Sequence, residues 1–163
     1  ENAQIANEKQ ELAKEYHQRL KVAAQILREL RTRLLQTEET VGLSPLELRL
    51  MQNTFFDLGD IEFALHDYDA ALLVYSSAIN RYPNHVRVLL SYLQMAQCYQ
   101  QLKKPEEARS TLKQAQILAE RMEPSIFQSP STNLHQRKQW TDWFDWTLEM
   151  TSLPRAVPSN PSH

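Results

Sequence analysis

"FALHDYDAALLVYSSAINRYP", residues 63–83, decides the fold. It reads as a helix that carries Ala71 and Ala78 seven residues apart, sets Tyr75 between them and stops at Pro83. Two alanines at that spacing lie on one helical face two turns apart, where another helix can come close, and the ring between them fills the gap that small residues leave. Proline lacks the N–H that would continue the ladder and restricts the residue before it, so the chain turns there. One such stretch makes a single sticky face. A fold needs a second one to stack on it.

Composition allows little besides helices. The chain has 163 residues, enough for one domain with a real core, and 42% hydrophobic against 23% charged residues marks it as globular. Gly42 and Gly59 are the only glycines, which leaves almost no material for hairpin turns, phosphate-cradling loops or a dinucleotide fingerprint. A formal net charge of −2 argues against a nucleic-acid or anionic-membrane surface. A lone cysteine, Cys98, excludes an internal disulfide. No apolar run is long enough to span a bilayer and no signal-peptide pattern is visible. Because the sequence starts at Glu1, the expectation is a soluble fragment of a longer protein, whose upstream part and cellular compartment the residues do not name.

The order of elements follows from stop and start signals. Residues 3 to about 37 form one long helix, with Leu12, Tyr16, Leu20, Ala23, Leu27, Leu30 and Leu34 at coiled-coil-like spacing. Its first half is polar elsewhere and its second half is richer in apolar residues, which predicts a free or self-associating start and a docked end. Lys21, Arg28, Arg31 and Arg33, interleaved with acids and glutamines, read as a solvated face. Gly42 stops this helix. Ser44 caps the next, with Pro45 at its first position and Glu47 closing a capping box, and it runs to about Leu65. Asp67 caps a third helix that ends at Tyr82, Asn84 caps a fourth to about Leu102, and Pro105-Glu106-Glu107 opens a fifth that ends before Pro124. Residues 124–132 are a Pro/Ser-rich connection, 132–151 a Trp-rich helix, and 152–163, with three prolines, a disordered tail.

The second stretch is "LSYLQMAQCYQQLKKPEEARSTLKQAQILAE", residues 90–120. Laying Ala108 over Ala71 is a shift of 37 residues and places Tyr92 over Phe55, Met95 over Leu58, Ala96 over Gly59, Leu102 over Leu65, Leu112 over Tyr75 and Ala115 over Ala78. The shift is close to the roughly 34-residue period of one helix-turn-helix repeat class. Phe55, Leu58, Gly59, Ala71, Tyr75, Ala78 and Pro83, and again Tyr92, Met95, Ala96, Tyr99, Ala108, Leu112 and Ala115, make residues 52–121 resemble the tetratricopeptide repeat family. Glu62 stands where that pattern usually has an aromatic residue, His66 where it has a turn glycine and Glu120 where it has the final proline.

The resemblance implies an all-α fold, an α-solenoid of antiparallel helix pairs with two tetratricopeptide-like repeats over residues 44–123, a long N-terminal helix (1–37) and a C-terminal capping helix. Residues 20–36 and 133–151 are expected to cover the two ends of this short array, Trp140, Trp143 and Phe144 by one face of the last helix, while Trp146 points elsewhere. By the same resemblance the first helix of each repeat lines the concave side. Asn53, Phe56, Asp57, Asp60 and Phe63 then face Leu90, Leu93, Gln94, Gln97 and Gln101 across a groove of amides and carboxylates with an aromatic floor. Such a groove suits a peptide or a partner helix, unless a terminal helix of the chain fills it. Chaperone-binding members of the family hold a C-terminal carboxylate with Lys and Asn. Phe56, Asp60 and Gln94 stand in the matching places, so that clamp is absent and an acidic tail does not fit.

Enzyme chemistry finds no support in the residues. His17, His66, His85, His135 and His163 are scattered, without the i, i+3 or i+4 spacing of a helical metal site. Cys98 reads as a small buried thiol and Glu106-Glu107 as a pair answering a helix dipole. The expectation is a non-enzymatic scaffold without cofactor or metal, which binds a protein or peptide partner through the groove. The alternative is an oligomerisation or cell-envelope tethering module that uses the first helix, similar to bacterial envelope proteins in which a coiled-coil-like segment precedes such repeats; a homo-oligomer remains open under either reading.

Overall fold

The computed structural model describes residues 2–128 and 137–152. Six α-helices follow one another: α1 (Asn2–Thr40), α2 (Pro45–Ala64), α3 (Tyr68–Arg81), α4 (Arg87–Gln101), α5 (Pro105–Arg121) and α6 (Arg137–Ser152). Each packs on the next across the described part of the chain, and α2 also touches α4. That pattern is a solenoid of antiparallel helix pairs, as the sequence predicts. The tail beyond residue 152, the connection from 129 on and the expected first turn of the last helix at 133–136 lie outside the described residues.

Local chemistry explains most boundaries. Gly42 takes φ 81°, the left-handed conformation that a helix end requires, and its N–H donates to the Thr37 carbonyl at 3.0 Å. At α2 the Glu47 N–H donates to Ser44 Oγ (3.3 Å) while Glu47 Oε2 accepts from the Ser44 N–H (2.8 Å), a closed capping box behind Pro45. Asp67 Oδ1 accepts from the Ala70 N–H at 3.1 Å. The start of α4 differs from expectation. Asn84 lies in the turn, the helix begins at Arg87 and Val86 occupies the cap position without a side-chain cap. The turn closes instead on His85, whose carbonyl accepts from the Val88 N–H at 2.9 Å and whose Nδ1 accepts from the Arg87 N–H at 3.2 Å.

The two repeats turn in the same way between their helices. His66 (φ 62°) and Lys103 (φ 60°), 37 residues apart, both occupy the left-handed region. The Asp67 N–H donates to Glu62 O, and the equivalent Lys104 N–H to Tyr99 O. The turn glycine of the repeat pattern is thus replaced by residues that bear the strain of positive φ.

The core runs the length of the solenoid. Ala71, Ala78, Ala108 and Ala115 are all fully buried, and Ala71 packs with Tyr75, Met95 and Cys98 where α3 meets α4. A Cβ added at Gly59 would stand 2.5 Å from Cε1 of Tyr75, so the glycine is a requirement of the ring lying across it.

α1 runs antiparallel to α2. Arg28 pairs with Glu62, Arg31 stacks on the Phe55 ring at 5.0 Å, and Glu38 pairs with Arg81 of α3. Two of the four cations expected on a solvated face are therefore docking residues. Burial holds the Arg31 pKa below its ordinary value, with Arg28 adding to the effect. Glu62 departs from the repeat pattern for the same reason: it is buried and answers a cation from α1 where an isolated array would place an aromatic ring.

At the other end α6 lies on α5, with Trp140 and Phe144 buried. Trp143 does not join them as expected. It sits at the rim, in ring contact with Trp140 at 5.7 Å, and Trp146 is more exposed still. The start of the Pro/Ser-rich connection is not featureless either: Pro124–Gln128 form a 3-10 turn that buries Phe127, and the Arg137 guanidinium covers that ring at 5.6 Å.

Candidate interaction groove

The curvature of the stack singles out one face. α2 and α4 meet directly, whereas α3 and α5 make no comparable contact among the described residues. Helices that converge lie on the inside of a bend, so the concave side belongs to α2 and α4. Asn53, Asp57 and Asp60 recur at helical spacing along α2, as do Gln94, Gln97 and Gln101 along α4.

Of the residues expected to line the groove, some are open and some are not. Asn53, Leu90, Gln97 and Gln101 are exposed, and Gln94 is half-buried. Phe56 is 1% exposed and Leu93 is buried, so both belong to the floor and present no free surface. Phe56 is covered from two sides: His85 stacks on it at 4.9 Å and the Arg87 guanidinium lies 5.0 Å from its ring centre. Phe63 packs edge-on against Tyr68 at 5.6 Å and is half-buried at the turn end of α2.

Asp57 and Asp60 are not free carboxylates. Arg87 Nη1 pairs with Asp57 Oδ1 at 2.6 Å, and Arg87 Nη2 with Asp60 Oδ2 at 2.9 Å. Asp60 Oδ1 also accepts from the Tyr75 hydroxyl at 2.7 Å. One guanidinium thus ties the first turn of α4 to α2, and Asp60 passes the tie to α3. Burial, together with Asp60, pushes the Tyr75 phenol far above its ordinary value, so the ring stays a hydrogen-bond donor. Asp60, expected to line the groove, is therefore also a residue that ties three helices together.

Arg87 is the residue that sequence reasoning missed. Its signal was available: two aspartates three apart on one helical face need a cation, and Arg87 opens the next helix after the turn. Burial and Arg87 hold the His85 pKa below its ordinary value, which keeps its Nδ1 an acceptor for the Arg87 N–H. The side-chain carbonyl of Gln94 is buried and has no hydrogen-bond partner among the described residues. With two carboxylates against one guanidinium the face carries a negative excess, and its amides can both donate and accept.

Among the described residues no group of three His, Cys, Asp or Glu side chains could hold a metal ion. Cys98 is fully buried and burial pushes its thiol up to about 12, far from a reactive thiolate. Among the described residues no helix is long and apolar enough to cross a membrane.

Residues 50–120 match a family model described as tetratricopeptide repeat. No curated protein and no solved structure matches the chain.

Proposed function

We propose that this chain is a scaffold that holds a peptide or partner helix against the concave face of α2 and α4; residues 50–120 match the tetratricopeptide repeat family, which generally mediates protein–protein interaction and is typically non-catalytic. The observation that supports this reading is the set of polar side chains on that face. Asn53, Gln97 and Gln101 are exposed and take no part in the core, and the Asp57 and Asp60 side chains remain 45% and 51% exposed although Arg87 holds them. Amides and carboxylates in this arrangement accept hydrogen bonds from a donor-rich segment and repel an acidic one. The terminal helices α1 and α6 serve as the covers that a two-repeat array needs in place of further repeats.

The test is selection of a displayed random peptide library on the whole chain, followed by calorimetry with an enriched peptide. Gln97→Lys with Gln101→Lys should weaken that peptide at least tenfold while leaving thermal stability unchanged, because both side chains are exposed. An enriched peptide indifferent to both substitutions would refute groove binding.

A further inference from the structure

α1 and α3 both pack on α2 but make no comparable contact with each other among the described residues. They run side by side and are tied where Glu38 pairs with Arg81. Between them lies a cleft of about 690 Å³, away from the concave face of α2 and α4. That volume is within the range of about 300–1,000 Å³ usual for binding clefts.

Phe55 forms the floor, with Leu35 of α1 and Leu73 of α3 as apolar walls. Leu73, Ser76, Ser77 and Asn80 recur at helical spacing, so one face of α3 sets a leucine and three hydrogen-bonding side chains along the cleft. Leu73 is 74% exposed, and the side chains of Ser76, Ser77 and Asn80 have no hydrogen-bond partner among the described residues. The cleft thus has an apolar floor and a polar rim that the fold itself does not use.

Charge selects what it can hold. Arg81 is taken by Glu38, and Arg28 by the buried Glu62. Arg31 lies 5.0 Å from the centre of the Phe55 ring and one turn before Leu35 on the same face of α1, and it makes no ion pair or hydrogen bond among the described residues. Of the other carboxylates nearby, Glu29 accepts from Gln25 on the outer face of α1, Glu39 stands two turns beyond Arg31, and Asp69 acts on Cys98, on the α4 side of α3. Arg31 is therefore a half-buried cation that no carboxylate answers, and burial together with Arg28 already works against its charge. An incoming carboxylate offsets both effects and can take two parallel N–H donors from one guanidinium, while the serine hydroxyls and the Asn80 amide supply further donors.

We propose that the α1–α3 cleft is a second binding site, and that its occupant is an acidic segment of a partner protein, with a carboxylate on Arg31 and an apolar side chain over Phe55 between Leu35 and Leu73. The concave face carries a negative excess through Asp57 and Asp60, so the two sites accept segments of opposite character, and neither depends on the other.

The test is selection, on the whole chain, of a displayed peptide library restricted to Asp, Glu, Leu and small residues, followed by fluorescence anisotropy with an enriched peptide. Arg31→Gln and Leu73→Asp should each weaken that peptide at least tenfold, and replacing its carboxylates by amides should abolish binding. Gln97→Lys with Gln101→Lys should leave its affinity unchanged. Leu73 points to solvent, so Leu73→Asp reads the site in a folded chain even where loss of Arg31 loosens α1. Failure to enrich any acidic peptide, an enriched peptide indifferent to Leu73→Asp, binding that survives the amide replacements, or an affinity that follows Gln97 and Gln101 instead would each overturn the proposal.

Discussion

Replacing Gly59 by alanine sets two physical effects of opposite sign against each other. Helix propensity alone predicts a gain of about 1 kcal/mol, because glycine within α2 carries the larger conformational entropy cost. Packing predicts a loss. The new methyl would lie 2.5 Å from Cε1 and 2.6 Å from Cδ1 of Tyr75. The ring cannot swing away cheaply: it is 1% exposed, packed with Ala71, Met95 and Cys98, and its hydroxyl is held by Asp60 at 2.7 Å. Overpacking of this kind costs about 1–3 kcal/mol and adds to the weakening of the Tyr75–Asp60 bond, so the net effect is a destabilisation of about 1–2 kcal/mol. The second repeat shows the compensating solution, with Ala96 and Leu112, both buried, where the first has Gly59 and Tyr75. Adding Tyr75→Leu to Gly59→Ala should therefore recover part of the loss, a coupling of about 1 kcal/mol in a double-mutant cycle. Urea midpoints read the free energies, and the melting temperature of Gly59→Ala should fall by about 3 °C per kcal/mol. If Gly59→Ala were neutral or stabilising, or if the two substitutions were additive, the close helix contact inferred from this pair would be wrong.

Other expectations follow from single features. Lys103→Gly should stabilise the chain by about 0.5–1 kcal/mol by relieving positive φ, and His66→Gly by less because it gives up the 2.9 Å contact of Nδ1 with the Tyr68 hydroxyl. His85 is held below its ordinary pKa, so its contribution to stability is fully present above about pH 6.5 and is lost as the pH falls through that value toward the folded pKa; urea midpoints across this range should lose that slope in His85→Gln. Cys98, with its thiol pushed up to about 12, should react with a thiol reagent at mildly alkaline pH only as fast as the chain unfolds, and rapid labelling of the native chain would contradict its burial.

What could be read from sequence divides along the range of the interactions. Ser44-Pro45-Glu47, Asp67 and Gly42 act within a few residues, and the small-residue pairs Ala71/Ala78 and Ala108/Ala115 announce helix contacts through spacing alone. The groove positions expected on α2 and α4 rest on the resemblance to the tetratricopeptide repeat family, not on periodicity. Interactions that join distant segments were not legible. Glu62 reads as a departure from the repeat pattern until Arg28, far off in sequence, is seen to pair with it. Asp60 reads as a free groove charge until Arg87 and Tyr75 are placed on it. Asn84 has the chemistry of a cap, yet the turn is set by His85 stacking on Phe56 and accepting from the Arg87 N–H, both dictated by packing against α2. Phe127 looked like a loop residue because prolines and serines surround it, although α5 and α6 leave a space that it fills.

The most direct test of the proposed groove is backbone amide NMR of the isotope-labelled chain titrated with a library-selected peptide. Shifts confined to α2 and α4, with Asn53, Asp57, Gln97 and Gln101 moving together, are the predicted result. Shifts centred instead on Leu73 and Ser77 of α3, on Trp146 of α6 or on the exposed residues 4–16 of α1 would place binding elsewhere and contradict it.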